Sequence, residues 1–532
     1  MLPLLLHVCL QMVVGPALAR PRLSGSFVRS AVVNPRETDG GARIGVLHQK
    51  LDALLHHPLL RKLRVGITVH DARTGNAVFA QNADSMFNPA SNTKIFTTAA
   101  ALSVLGPNFR FRTALWASRT ADDRASPDVM RGPVFLQGSG DPSLQPFDLV
   151  NLVHDLSRRG IRRIEGDIFL DGEFRAEQDL EKPAPAPGFG SGALALNRGT
   201  VRVRVFPTQV GSSARSFLEP PSSYFVLRSS VKTVAGKKAK ILVETHRKDG
   251  HLIVEVRGRI GRKRDKVIIK RHVPDGQSWI AATLSAALQD LGIAHVGEFR
   301  VGPPPPGPLL IQAEHLSAPL SEICRVVNKD SNNFVADVVW KTLGSARFGL
   351  PQSLEKGARA VAEWMAPLGF EPERLRLVNG SGLTYENRVR PVDVSKMLLW
   401  LYHSLDLGPE FMQTLAIGGI DGTIHHRFRG ASQGLVRGKT GTLNGVSVLS
   451  GYVGSHPGVL VFTIFVEGFR AKRLARVRQF QAQIVEVLLK HVRAGIQEAS
   501  PAPWSVPLSP NEPKEEGDRH EEDVGVGDEE AL

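Results

Sequence analysis

The chain has 532 residues, 42% apolar and 22% charged, and a formal net charge of +14. That length allows roughly two to four domains, and the ordinary apolar and charged content excludes a mainly disordered or membrane-spanning chain. In residues 511–532, ten acidic side chains against Lys514 and Arg519 leave the rest of the chain at +22, a balance that suits an anionic partner (nucleic acid, anionic lipid or cell-wall polymer) without choosing among them.

Residues 1–19 read as a signal peptide. An apolar stretch is followed by Gly15-Pro16 and then by the small residues Ala17 and Ala19, although no Lys or Arg precedes the apolar run. The stretch is too short and interrupted for a spanning helix. Once it is removed, Cys324 is the single cysteine left, which excludes an intrachain disulfide and a cysteine zinc site. Residues 42–63 carry Ile44, Leu47, Leu51, Leu54 and Leu55 at helical spacing. Alternation at 64–69 and 77–80 around the turn-rich 71–75 predicts a β-hairpin. It leads into a helical apolar run beginning near Ser91 and ending near Gly106-Pro107, then a strand over 109–117.

The composition turns polar at 118–131, and a boundary is placed there. Short alternating runs at 134–137, 163–169, 200–206, 240–245, 252–256 and 266–271 predict one or two β-rich modules filling 118–308, possibly nested near 200–275. The Pro-rich 302–308 is a stiff connector. From 309 to about 495 the pattern is mixed: helical on both sides of a polar break at 328–333, helical again at 353–368 and 391–403, then two adjacent strands from 436 to 469 and a long amphipathic helix over 473–492. Residues 499–532 read as a disordered acidic tail.

Three stretches carry chemistry. Ser91 precedes Lys94 by three residues, close to one helical turn, so hydroxyl and ammonium share a face and can share a proton. A helix start there also favours negative charge developing on a bound carbonyl oxygen. Alone, that spacing arises by chance roughly once or twice in such a chain. In 329–333 a polar loop presents Ser331 and, two residues on, Asn333, although Ser-x-Asn is also common in capping loops. In 438–442 a strand presents Lys439, Thr440, Gly441 and Thr442, the glycine admitting a substrate backbone.

Together these are a Ser-x-x-Lys on a helix, a Ser-x-Asn loop and a Lys-Thr-Gly strand, the set of penicillin-binding proteins and class A β-lactamases. Ser91 and Ser331 lie 240 positions apart, so modules are inserted between them. With PASNTK, GSGDPSL, GALALNRG, NKDSNNF, NGSGLTYENRV, GGIDGT and GKTGTLNGVSVLSGYV, the chain resembles, over about 42–490, the class C low-molecular-mass penicillin-binding proteins, D-alanyl-D-alanine carboxypeptidase/endopeptidases of the S13 type.

The resemblance implies an α/β (α+β) transpeptidase-like domain, an antiparallel sheet flanked by helices, formed by 42–117 and 309–495. It implies an exported, periplasmic serine peptidase that acts on peptidoglycan stem peptides, is acylated by β-lactams, and needs no metal or other cofactor. Ser91 is then the nucleophile and Lys94 takes its proton, the identity of the base being disputed in this superfamily. Ser331 with Lys439 relays a proton to the leaving amine, Asn333 holds the substrate amide, and Thr440 with Lys439 binds the terminal carboxylate. The N–H groups of Ser91 and Thr442 form the oxyanion hole, and Gly441 keeps the strand open. Asp141, in the GSGDPSL phrase, faces the same region or is a plain turn residue before Pro142. Tyr385 stands where family members often carry Arg, which bears on recognition of the stem-peptide side chain.

Other readings are weaker. The basic run from Lys232 to Arg271 has few interleaved aromatics and alternates with strand residues, so a solvated sheet face is favoured over nucleic-acid binding. A β-lactamase or esterase on the same scaffold is disfavoured by the inserted modules. The 473–492 helix is read as packed on the sheet rather than lying on a membrane. His425-His426 and the Gly-rich 188–192 match no metal or dinucleotide pattern.

Overall fold

The computed structural model describes residues 39–118, 126–171, 194–456 and 458–498; the predicted signal peptide and acidic tail lie outside them. The described residues begin with helix α1 (Asp39–Leu55), and the hairpin β1 (Arg64–Asp71) and β2 (Ala77–Gln81) follows. The helix predicted to reach 63 stops at Leu55, because Pro58 lacks the N–H to continue it and begins a 3-10 turn instead. After a 3-10 turn over Ala90–Asn92 comes α2 (Thr93–Val104).

Between α2 and residue 317 the chain builds β3 (Arg112–Ala117), β4 (Val129–Arg131), β5 (Val134–Gly138), α3 (Pro146–Arg158), β6 (Arg163–Glu165), β7 (Ile168–Asp171), β8 (Thr200–Phe206), β9 (Arg215–Glu219), β10 (Phe225–Val234), β11 (Ala239–Lys248), β12 (His251–Gly261), β13 (Val267–His272), α4 (Gly276–Asp290), β14 (Ala294–Val296), β15 (Phe299–Gly302) and β16 (Leu310–Leu316). The rest holds α5 (Leu320–Lys329), α6 (Asn333–Phe348), α7 (Leu354–Met365), α8 (Pro391–His403), α9 (Gly408–Thr414), β17 (Ala416–Ile417), β18 (Val436–Leu443), β19 (Val446–Ser455), β20 (Gly458–Glu467) and α10 (Leu474–Glu498).

The organising layer is an antiparallel six-stranded sheet, ordered β17-β18-β19-β20-β1-β2. Both faces of the sheet are covered, so the central β20 reads as a nearly continuous apolar run. In β20, Phe462, Ile464 and Val466 join α1 and α10 in one core, whereas Val461 and Phe465 join the core built with α2, α5, α6 and α8. The 473–492 helix thus lies on the sheet through Val477, Phe480, Ile484 and Leu488. Among the described residues, no helix is long and apolar enough to cross a membrane.

The insertion has its own core, from Leu115 to Ala313. Two corrections follow. β3 and β16 pair with each other, and β3 pairs with β5, in a five-stranded sheet β15-β7-β5-β3-β16. The edges of the insertion therefore sit near 111 and 317 rather than 118 and 308, where Ser317 N–H donates to the Phe111 carbonyl at 2.9 Å and Phe111 N–H to Ser317 Oγ at 3.0 Å. The run 163–169 is not one strand: it breaks at Gly166, whose φ is +146°, and its halves enter different sheets. The insertion also carries two helices, α3 and α4, that alternation-based reading did not resolve. Residues 200–272 form two further three-stranded sheets, β13-β8-β9 and β10-β12-β11.

Candidate active site

Ser91 does not sit in the α-helix itself but in the 3-10 turn that feeds it. Asn88 shapes this turn: its Oδ1 accepts from Ala90 N–H at 2.7 Å and its Nδ2 donates to the Thr384 carbonyl at 2.9 Å. Ala90 is held at φ +43°, a left-handed value that costs a non-glycine residue energy. Asn92 anchors the far side through Ser450 Oγ at 2.6 Å. Such over-determination keeps a strained turn in place.

Lys94 is fully buried, and its Nζ lies 3.0 Å from Ser91 Oγ and 2.8 Å from Asn333 Oδ1, with a third contact to the Ser381 carbonyl. Burial pulls its pKa down to about 7, opposed by the negative charge of Asp337. This geometry has a chemical consequence. Asn333 Oδ1 and the Ser381 carbonyl can only accept, so they take both N–H bonds of a neutral Lys94 amine. The lone pair is left for the Ser91 hydroxyl.

Ser331 occupies the α5–α6 loop at φ +56°. The capping alternative is satisfied by its neighbour: Asn332 Oδ1 accepts from Val335 N–H at 3.1 Å, which leaves Asn333 for Lys94. Lys439, on β18 and fully buried, donates to Ser331 Oγ at 2.9 Å and to the Thr440 carbonyl at 2.7 Å. Burial holds its pKa well below the lysine range, and the Lys94 charge pushes the same way. Thr440 Oγ1 donates to Thr423 Oγ1 at 2.8 Å. Gly441 packs against the nucleophile: a Cβ there would lie 2.7 Å from Ser91 N and 2.4 Å from Val448 Cγ2. Thr442, two residues beyond Thr440 on the same strand face, is exposed and accepts from Arg478 at 3.2 Å.

The structure therefore brings Ser91, Lys94 and Asn333 into one hydrogen-bonded group, and joins Lys439 to Ser331. Asp141 does not join them. Its fully buried carboxylate accepts from Ser143 N–H at 2.7 Å and Ser143 Oγ at 2.6 Å, and faces His315 of β16 at 3.7 Å. It is the turn residue before Pro142, not a cleft residue. The loop it shapes acts indirectly: Leu144 accepts from Asn197 N–H at 2.7 Å, and the next residue, Arg198, is drawn electrostatically to Asp330 beside Ser331. Tyr385 is exposed at the rim, its hydroxyl donating to the Asn444 carbonyl at 3.3 Å.

Residue-type reading missed Asp337, whose Oδ1 accepts from Gly380 N–H at 3.1 Å and Ser381 N–H at 2.8 Å. It thereby fixes the carbonyl that meets Lys94. A signal was present, since Asp337 follows Asn333 by four residues and so shares its helix face. Thr423 lay in the quoted GGIDGT phrase without a role. Among the described residues there is no group of three metal-binding side chains.

A half-buried serine on a buried lysine at the junction of a helix and an antiparallel sheet, with a second Ser-Lys pair beside it, defines the penicillin-binding-protein and β-lactamase-like class of folds. The crystal structure of penicillin binding protein 4 (dacB) from Haemophilus influenzae superposes with a TM-score of 0.65 at 23% identity, covering 86% of this chain and 99% of that one. Residues 47–490 match the D-Ala-D-Ala carboxypeptidase 3 (S13) family, and the chain belongs to it. A D-alanyl-D-alanine carboxypeptidase from an Actinomadura species is 31% identical over 451 residues, 80% of this chain and 82% of that protein. The D-alanyl-D-alanine carboxypeptidase DacB of H. influenzae is 24% identical over 80% of this chain and 91% of its own.

Proposed function

We propose that this protein is a serine D-alanyl-D-alanine carboxypeptidase, endopeptidase or both, acting on peptidoglycan stem peptides through an acyl-enzyme on Ser91 and acylated there by β-lactams. The observation that carries this reading is the Lys94 Nζ contact with Ser91 Oγ at 3.0 Å, with both amine hydrogens claimed by Asn333 and Ser381. Neutral Lys94 takes the Ser91 proton as Oγ bonds to the carbonyl carbon between the two D-alanines. The N–H groups of Ser91 and Thr442 receive the oxyanion, each such donor being worth about 3–4 kcal/mol. Ser331, held by Lys439, passes a proton to the leaving amine as the C–N bond breaks. Water then cleaves the ester: its oxygen bonds to the acyl carbon as the Ser91 ester bond breaks, its released proton replaces the one Ser331 gave up, and the proton taken by Lys94 returns to Ser91.

Burial disfavours charge on both lysines, and the Lys94 charge disfavours it further on Lys439, which leaves an amine available near neutral pH. Thr440 and Lys439 take the terminal carboxylate of the peptide. Residues 1–19, read as a signal peptide, support an exported, periplasmic enzyme, a location consistent with a peptidoglycan substrate.

Labelling with a fluorescent penicillin, followed by peptide mapping, tests the assignment. The adduct is expected on the peptide containing Ser91 and lost in Ser91→Ala. An adduct on another residue, or undiminished labelling of the variant, removes it.

A further inference from the structure

The outward face of the β13-β8-β9 sheet in the insertion holds a groove. Register pairs Phe206 with Arg215 and Arg204 with Phe217, so those side chains share the face opposite Val203 and Val205, which enter the core of the insertion. Phe206, Arg215 and Phe217, with Thr208, Gln209 and Arg262 from flanking loops, line an open cavity of about 490 Å³, within the size range of small-molecule sites. Phe217 is 53% exposed, and its ring meets that of Phe206 edge-on with 6.1 Å between centroids. Apolar rings left open to solvent inside a polar rim mark a surface built for contact.

The groove is preformed. The loop between β8 and β9 is stitched to β10: Thr208 N–H donates to Thr233 Oγ1 at 3.0 Å, Gly211 N–H to the Thr233 carbonyl at 2.9 Å, and Thr233 N–H to the Ser212 carbonyl at 2.9 Å. Arg262 is placed in the same way, its backbone N–H donating to the Val234 carbonyl at 2.7 Å and that of Lys263 to the Gly236 carbonyl at 2.9 Å. Binding there orders little additional backbone.

Among the described residues, the Arg215 and Arg262 side chains have no hydrogen-bond or ion-pair partner, and the nearby acids are engaged. Glu219 faces Arg202 at 3.9 Å and Arg204 at 2.5 Å, and Asp265 faces Lys266 at 3.4 Å. Past the loop, Ser213 bridges to Lys232, which opens the exposed row Lys232, Arg259 and Lys240. Glu244 and Glu255, further along that sheet, are taken by Arg257. Two guanidinium forks at an aromatic floor suit a planar carboxylate. The two rings stand at 69° to each other and form no parallel slot for a flat base. The exposed Gln209 amide can both donate and accept, which matches the hydroxyls of a sugar.

We propose that this groove binds an acidic glycan. One sugar ring rests on Phe206 and Phe217, its carboxylate is taken by Arg215 and Arg262, and further acidic sugars of the same strand continue along Lys232, Arg259 and Lys240. The site holds a polymer, not the peptide that Ser91 cleaves, so it goes beyond the peptidase reading and does not depend on it.

The test measures fluorescence anisotropy of the full chain with an end-labelled hyaluronan octasaccharide, in which glucuronate alternates with N-acetylglucosamine. Chitohexaose, polyphosphate and an oligothymidine serve as comparison probes. The octasaccharide is expected to bind, more weakly as salt rises, and chitohexaose at least about tenfold less tightly. Arg215→Gln and Arg262→Gln should each lower affinity for the octasaccharide about tenfold. Phe217→Ala should lower it by about as much while changing polyphosphate binding by less than about twofold. Phe217→Leu, which keeps an apolar surface without the ring, reads the same contrast if the alanine variant loses its wild-type thermal midpoint. No binding of the octasaccharide, equal binding of chitohexaose, or equal losses on octasaccharide and polyphosphate when the ring is removed, overturns the inference. Tighter binding of oligothymidine overturns it in favour of a nucleic acid.

Discussion

The side chains around Lys94 determine when this site is competent. With burial setting its pKa to about 7, Ser91 acylation by a β-lactam should rise with pH through a midpoint near 7 as the amine loses its proton. Asp337 supports the protonated form of Lys94. In Asp337→Asn an amide oxygen still accepts from the Gly380 and Ser381 N–H groups, but the charge is gone. The midpoint should move to lower pH, as read from stopped-flow acylation; an unmoved midpoint would limit Asp337 to holding the loop. The same shift has a signature in stability. Because the folded-state pKa of Lys94 lies below its ordinary 10.5, the unfolded chain binds more protons between about 7 and 10.5. The Lys94 contribution to stability therefore rises with pH across that window. Denaturant midpoints should show Lys94→Met more stable than wild type at pH 7, with the gap narrowing toward pH 10.5.

Individual elements hold the site by close backbone approach. In the loop before α8, Gly382 has φ +75°, and a Cβ would fall 1.8 Å from the Ala90 carbonyl, at the base of the nucleophile turn. Gly382→Ala should cost about 2 kcal/mol or more in unfolding free energy and slow Ser91 acylation, since the turn must shift to admit the methyl. The insertion offers a contrasting case. Register aligns Lys232 on β10, Arg259 on β12 and Lys240 on β11 in one exposed row of like charges. Cross-strand repulsion there is unfavourable, so Arg259→Glu should raise stability by about 0.5–1 kcal/mol in thermal denaturation. The basic run is thus a solvated sheet face in its geometry. These elements were unevenly legible in sequence. The alternation of β1, β8, β12 and β13 showed because each has one clear period. Helices α3 and α4 were hidden by short flanking strands, and 163–169 masked a break because Gly166 interrupts an apolar pattern without changing its composition.

At the scale of the whole molecule, the insertion leaves and returns at one point. Phe111 and Ser317 exchange hydrogen bonds across its base, and its main apolar core is separate from those flanking the six-stranded sheet, with Ala195 alone of its buried apolar residues joining the core beside α2. Replacing 112–316 by a short glycine linker should therefore leave a folded peptidase domain that is still acylated at Ser91, measured by intact mass, with some loss of stability because Arg198 no longer faces Asp330. The amino-acid sequence by itself singled out the hydroxyls, amines and amide that the fold brings together, since Ser91-Lys94, Ser331-Asn333 and Lys439-Thr442 declare themselves by residue type at short local spacing. It also determined the mixed α/β class and the presence of a large insertion, because hydrophobic period and chain separation are local or countable quantities. Only the tertiary structure decided that Asp141 turns into the insertion, that Asp337 and the Ser381 carbonyl orient Lys94, and that Arg478 meets Thr442. Those contacts join residues from about 36 to 287 positions apart, and no local pattern encodes which buried acceptor faces which donor until packing has excluded water from between them.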